Sequence, residues 1–241
     1  MRASALHSLH LDRTTAVAAW SEIEGMVMPA RYHQEADAAV LGLGDVSWPR
    51  RSGIKGPAAA GYLESLGFPL PAQPNLWLPL PDASGGLIAR LGLTEYLLEA
   101  DDEACKPLQA VPPPPGAYPV LRSDTALALS GKLAPEVLLQ TCSIDFTTVN
   151  ADQGELVLTS MTGVPVLVIP LVAASVRLYR IWCDPSYGPY LYRTLLSIVE
   201  ELGGGPLGVD QLAPLLAAST HPATQAVIGG HPGRNHIPGE A

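Results

Sequence analysis

Apolar residues recur along this chain on two periods, and the elements change where the period changes. The clearest helical stripe is Leu191, Leu195, Ile198, Val199 and Leu202, spaced i, i+4, i+7, i+8 and i+11. Asp184-Pro185-Ser186 opens it and Gly203 stops it. Before it, apolar runs at 155–162, 164–171 and 178–183 predict strands, and 85–98 predicts a hairpin turning near Gly92. A strand is expected at 124–129, then a helix with Pro135 in its first turn. The stretch 43–55 reads as a strand with a turn, because Pro49 disfavours helix at Trp48. Gly56-Pro57 opens an Ala-rich helix over 57–66, closed by Gly67. Residues 1–40 predict two helical pieces, one capped by Asp12 or Thr14 and running past Trp20, the other over 32–41. The five prolines of 69–84 predict extended loop, and Pro112 to Pro115 make 101–116 an irregular linker. Beyond 206, one short helix is expected at 211–218, then a mobile tail holding His221, His231 and His236.

Two stretches share one grammar at a constant offset of 75. Ile54-Lys55-Gly56 aligns with Leu129-Ser130-Gly131, Ala59 with Ala134, and Leu63 with Leu138. Each is a strand, a glycine corner and a helix, followed by hairpins. The expected fold class is α+β, built of two similar strand-helix-hairpin halves within residues 1–205. The halves span about 43–111 and 117–205, joined by the Pro-rich linker 112–116, and 206–241 is a partly flexible C-terminal extension.

Composition narrows the function. Of 241 residues 47% are hydrophobic and only 15% charged, against ~25% in ordinary soluble domains. High apolar content at a net charge of −9 excludes disorder. No basic cluster exceeds the pair Arg50-Arg51, which argues against nucleic acid. The longest apolar run, 164–175, is broken by Pro165 and Pro170 and falls short of the ~20 residues a spanning helix needs. The first residues form no continuous apolar stretch, so no signal peptide is expected. Cys105, Cys142 and Cys183 form no CxxC pair and read as reduced packing thiols. The expectation is a cytoplasmic protein, with no membrane association, whose charge deficit marks surface covered by another chain.

Few motifs carry chemistry. Gly42-Leu43-Gly44 lacks the third glycine of a dinucleotide fingerprint, and Gly203 to Gly205 follow a helix instead of opening one. His7 and His10 share a helix face but have no third ligand near, so no metal is expected. Cys142 reads as packing rather than nucleophile, for want of a His partner. Trp77, in its Pro-rich surroundings, fits either loop packing or a docking surface.

Two stretches nevertheless resemble a known family. Gly25-Met26-Val27-Met28-Pro29-Ala30-Arg31-Tyr32, then Leu43-Gly44-Asp45-Val46-Ser47 and Gly53-Ile54-Lys55-Gly56-Pro57-Ala58-Ala59, look like the opening of the folate-binding aminomethyltransferases, the T-protein of the glycine cleavage system and its relatives. Leu129-Ser130-Gly131, Cys142-Ser143-Ile144-Asp145-Phe146, Asp184-Pro185-Ser186-Tyr187 and Tyr190-Leu191 resemble the gamma subunit of heterotetrameric sarcosine oxidase. The matches span roughly residues 20–205.

The departures shape what the resemblance implies. Catalytic T-proteins carry an acidic pair on a Gly-Gly hairpin, G-G-[IV]-x-D-D-L, whose aspartate contacts the reactive folate nitrogen. Here the hairpin reads Gly85-Gly86-Leu87-Ile88-Ala89-Arg90-Leu91, with both acids replaced, and Glu95 is out of register. The resemblance therefore implies a non-catalytic structural subunit of a sarcosine or N-methyl amine oxidase or dehydrogenase, one that demethylates its substrate and passes the one-carbon unit to tetrahydrofolate. No catalytic residue and no cofactor is expected on this chain. FAD, FMN, NAD and tetrahydrofolate would sit on partners: a large flavin- and folate-binding subunit and further small subunits of a hetero-oligomer. The alternative is a free-standing tetrahydrofolate-dependent aminomethyltransferase or demethylase, with Tyr32, Asp45 and Tyr96 as the pterin-pocket candidates.

Overall fold

A computed structural model describes residues 2–80 and 85–219. Its strands are β1 (Val17–Ile23), β2 (Met26–Tyr32), β3 (Gly42–Asp45), β4 (Arg50–Lys55), β5 (Leu76–Pro79), β6 (Leu87–Arg90) and β7 (Glu95–Ala100), then β8 (Tyr118–Leu121), β9 (Thr125–Ser130), β10 (Val157–Met161), β11 (Val164–Ala173), β12 (Val176–Cys183) and β13 (Gly205–Pro206). The helices are α1 (His7–Asp12), α2 (Ala59–Ser65), α3 (Asp102–Ala110), α4 (Ala134–Thr141), α5 (Gly188–Glu201) and α6 (Val209–Ala217). The mixed α+β class is as expected. None of these helices is long and apolar enough to cross a membrane.

Beside the β1–β2 hairpin stand two sheets, ordered β5-β6-β7-β4-β8 and β10-β11-β12-β9-β3-β13. Each contains a strand (β4, β9) followed by a helix (α2, α4), then three antiparallel strands and a second helix (α3, α5). The glycine corners show why the repeat survives. Gly56 and Gly131 stand at φ +114° and +105°, and a Cβ at either would strike backbone at Gly116 or Val40. The amide of Gly56 donates to Thr94 O and that of Gly131 to Arg177 O, both at 2.9 Å. Ala58 N–H meets Gly116 O at 3.0 Å, as Leu133 N–H meets Val40 O at 3.1 Å.

The halves also exchange strands. β3 precedes β4 in the chain yet pairs with β9, while β8 precedes β9 yet pairs with β4. Period-two alternation sends one face of each sheet to its own helices and the other to the opposite sheet. Leu127, Leu129 and Ile181 pack with α4 and α5, and Ile54, Tyr96 and Leu98 pack with α2 and α3. Trp77, Leu87, Ala89 and Leu97 of one sheet meet Ala126, Leu167, Ile169 and Trp182 of the other. The layers run helices, sheet, sheet, helices.

Several expectations change. The helical piece expected to run past Trp20 is instead the first strand of a hairpin over 17–32; Glu24 and Gly25 both take positive φ (50° and 73°), the geometry of a tight two-residue turn between antiparallel strands. The presumed helix over 32–41 is a turn, in which Asp37 accepts from Ala39 N–H at 2.8 Å and Val40 N–H at 2.9 Å. The segment before the four prolines is helical: Asp101 caps α3 by accepting from Ala104 N–H at 2.8 Å, and Asp102 and Glu103 favour its N-terminus. The Pro-rich loop also contributes β5. Residues 207–217 are not peripheral, since Leu207, Leu212 and Leu216 enter the core between the sheets. The tail with His221, His231 and His236 lies outside the described residues.

Candidate functional site

Where the two sheets face each other, charge is buried among apolar side chains. Register sets Arg51 of β4 opposite Glu99 of β7, and β12 brings Arg180 and Trp182 from the other sheet. Arg51 Nε lies 2.5 Å from Glu99 Oε2, and Arg180 Nη2 meets Glu99 Oε1. Trp182 Nε1–H donates to Glu99 Oε2 at 2.8 Å, and the Arg180 guanidinium lies 5.0 Å from the centre of the Trp182 ring. Arg51 also donates to the carbonyls of Val46, Ser47 and Asp124 at 3.2–3.3 Å, and Arg180 to that of Gly85 at 3.2 Å. Glu99 is 0% exposed and Arg180 1%. Burial draws Arg51 down to about 10, and burial followed by the nearness of Arg51 draws Arg180 down to about 9. Both stay charged at neutral pH, and the single carboxylate between them makes their burial tolerable.

A cleft of about 330 Å³ opens beside this cluster, with Arg180 at its floor and Trp48, Gly85, Gly86, Asp101 and Leu216 among its walls. The two hairpin positions that are acidic in T-proteins do not reach it. Ala89 is buried between the sheets, and Arg90 clasps the carbonyls of Pro71, Ala72, Gly92 and Leu93 at 2.9–3.3 Å, 5.6 Å from the centre of the Tyr96 ring. Glu95 pairs instead with Arg122 at 2.6 Å. A folate amine needs a carboxylate acceptor. The acids among the described lining residues are Glu24, which is exposed, and Asp101, which caps α3; Glu99 is spent on two arginines and a tryptophan. This donor set does not fit that group.

The pterin-pocket candidates divide between two places. Asp45, at the end of β3, accepts from Ser4 Oγ–H at 2.5 Å and Ser47 N–H at 2.9 Å, with His10 Nε2 at 3.1 Å. Burial alone pushes its carboxyl up; the bonds and charge of His10, then Ser4 and Ser47, outweigh that and hold it below the ordinary value. Serine, carboxylate and imidazole meet here in an order that does not activate the serine, because Ser4 binds the carboxylate and not the ring. Tyr32 bonds to the buried Tyr192, which stacks edge-on to His10 at 5.9 Å; burial pushes the Tyr32 hydroxyl up to about 12. So Tyr32 and Asp45 share a neighbourhood, whereas Tyr96 lies in the core beneath α2 and α3.

His7 and His10 gain no third ligand, and no metal-ligating cluster exists among the described residues. Cys142 is buried, its Sγ 3.7 Å from Thr159 Oγ1. Burial raises the Cys105 thiol to about 11 and the Cys183 thiol to about 12, which keeps both protonated and inert. Trp77 is buried between the sheets, so its surroundings are packing rather than a docking surface. Sequence reasoning missed the Arg51–Glu99–Arg180 cluster. Its signal was there: Glu99 and Arg180 each interrupt an apolar strand run, where a charge requires a partner.

This architecture is that of T-protein-like aminomethyltransferases. No family model and no curated protein sequence matches the chain. Among solved structures, the glycine cleavage system aminomethyltransferase T from Bartonella henselae matches with a TM-score of 0.65 at 18% identity, over 88% of this chain and 60% of that one. Heterotetrameric sarcosine oxidase from Corynebacterium sp. U-96 matches with a TM-score of 0.60 at 21% identity, over 86% of this chain and 98% of that one. The chain thus spans about 60% of the length of the aminomethyltransferase and nearly all of one sarcosine oxidase chain. At these identities the likeness is one of fold.

Proposed function

We propose that this chain is a non-catalytic structural subunit of a complex that demethylates sarcosine or another N-methyl amine and passes the one-carbon unit to tetrahydrofolate. The observation that carries the reading is the near end-to-end match with one chain of a heterotetrameric sarcosine oxidase, against 60% of the aminomethyltransferase. The chemistry of the hairpin agrees with it: the positions that would hold folate-facing acids are a packing alanine and an arginine tied to four carbonyls. In this reading FAD, FMN, NAD and tetrahydrofolate belong to partner subunits, and the chain braces a large flavoprotein in the cytoplasm. Its exposed apolar residues, led by Leu121 and Leu93, are available for that contact.

The test is affinity purification of the tagged chain from its native host, with mass spectrometry and an absorbance spectrum of the product. The expected product is a yellow complex containing a large flavin-binding chain in fixed ratio. A colourless monomer that binds tetrahydrofolate tightly by calorimetry would overturn the reading in favour of the free-standing transferase.

A further inference from the structure

A second cleft, of about 410 Å³, lies where the connection from β3 to β4 meets the connection from β8 to β9. Arg2, Arg50, Arg51 and Arg122 all line it, with Ser123 and, among the described lining residues, a single acid, Asp124. Four of the chain's 14 basic residues therefore converge on one concavity in a protein whose net charge is −9.

The carboxylates that neutralise them are few and already engaged. Arg50 Nε pairs with Asp102 at 2.9 Å, Arg122 with Glu95 at 2.6 Å and Asp124 at 3.8 Å, and Arg51 with Glu99, which also serves Arg180. These direct ion pairs use Asp102, Glu95, Asp124 and Glu99, and Asp45 attracts Arg51 through space. Among the described residues, the Arg2 side chain hydrogen-bonds only to carbonyl oxygens, of Trp48 at 2.8 Å and Glu24 at 3.2 Å, with Asp102 and Glu24 attracting it through space. Burial, then Arg50 and Arg51, lowers its proton affinity, so like charges crowd this cleft. Concave sites of one sign concentrate counter-ions, and guanidinium forks bind planar and tetrahedral oxyanions through paired hydrogen bonds. The volume suits a small molecule.

We propose that this arginine-lined cleft binds a small oxyanion, the carboxylate or phosphate of a metabolite, between Arg2, Arg50 and Arg122 over Arg51. The site is independent of the subunit reading. Inorganic phosphate and, separately, succinate are titrated calorimetrically into the purified full chain at low ionic strength, against matched chloride. Saturable one-to-one binding is expected, weakened at least about tenfold by the double substitution Arg50→Gln/Arg122→Gln, roughly the loss of one charge-assisted hydrogen bond. Asp124→Asn, which removes the opposing charge and keeps every arginine, tightens it about threefold. Saturation by phosphate alone assigns a phosphate ester, by succinate alone a dicarboxylate, and by both an oxyanion site tolerant of either. Absence of saturation with both anions, equal affinity in a double variant folded by circular dichroism, or no tightening by Asp124→Asn overturns the site. None of these results bears on co-purification, so the two readings fail separately.

Discussion

Set side by side, the two halves run the same course of strand, helix, three strands and helix, and differ mainly where they touch. Register makes Asp45 of β3 and Leu121 of β8 equivalent, for each begins the connection into the other half. Asp45 is buried beneath α1 with His10 and Ser4, whereas Leu121 is 93% exposed. β3 is covered on its outer edge by β13, and Leu207 N–H donates to Leu43 O at 2.9 Å. Among the described residues β8 has no strand beyond it, and Pro119 there helps to blunt the edge. At the shared interior, Glu99 of one half occupies the place of Trp182 in the other, and the two bond to each other. Backbone geometry has been kept and side chains have diverged. One half is closed by α1 and β13, while the other leaves an apolar side chain beside a cationic cleft.

That contrast can be broken most severely at its centre. Glu99→Ala strands two buried guanidiniums and is expected to cost about 3–5 kcal/mol in urea unfolding followed by tryptophan fluorescence. A loss below about 1 kcal/mol would mean that water already reaches the cluster. The glycine corners come next. Gly56→Ala and Gly131→Ala each force a side chain into left-handed backbone and against a carbonyl, and should cost about 1–3 kcal/mol apiece in thermal unfolding. Unequal losses would show that one corner has relaxed away from the repeat.

Asp45→Asn should cost about 1–3 kcal/mol at neutral pH. Its sign with pH follows from the depressed carboxyl: the stabilisation is present above the ordinary value of 3.8 and lost as pH falls through the lower folded value. Wild type and variant should therefore converge in acid melts, and curves that stay parallel would exclude Asp45 as the cause. The smallest effect belongs to Leu121→Ser, expected within about 0.5 kcal/mol of wild type in the isolated chain. The same change should reduce recovery of the flavoprotein complex if this edge is the contact.

Local signals read well. The stripe of α5, the hairpin at Gly92 and the paired glycine corners are all fixed by residues close in sequence. The offset of 75 was legible from a few residues, although the equivalence of α3 and α5 was not, because four prolines outweighed the cap at Asp101. The candidate caps Asp12 and Thr14 misled about the segment past Trp20, where antiparallel pairing across Glu24-Gly25 overrides helix propensity. The charge cluster stayed hidden because Arg51, Glu99 and Arg180 are remote in sequence and meet only when two sheets stack. Tyr32 and Tyr96 were grouped as pterin-pocket candidates, and only topology separates them, Tyr32 beside Tyr192 and Tyr96 in the core beneath α2 and α3.

The exchange of β3 and β8 bears on how the protein is made. As the chain leaves the ribosome, β3 emerges early but cannot pair with β9 until residues 125–130 follow, and the first sheet lacks its edge until β8 appears. A nascent chain stopped at the prolines therefore carries an orphan strand and an incomplete sheet, the kind of species chaperones hold. The same wiring makes 112–116 a site for splitting the gene. Each fragment would own a strand that only the other can seat, so the pieces should find one another and complement.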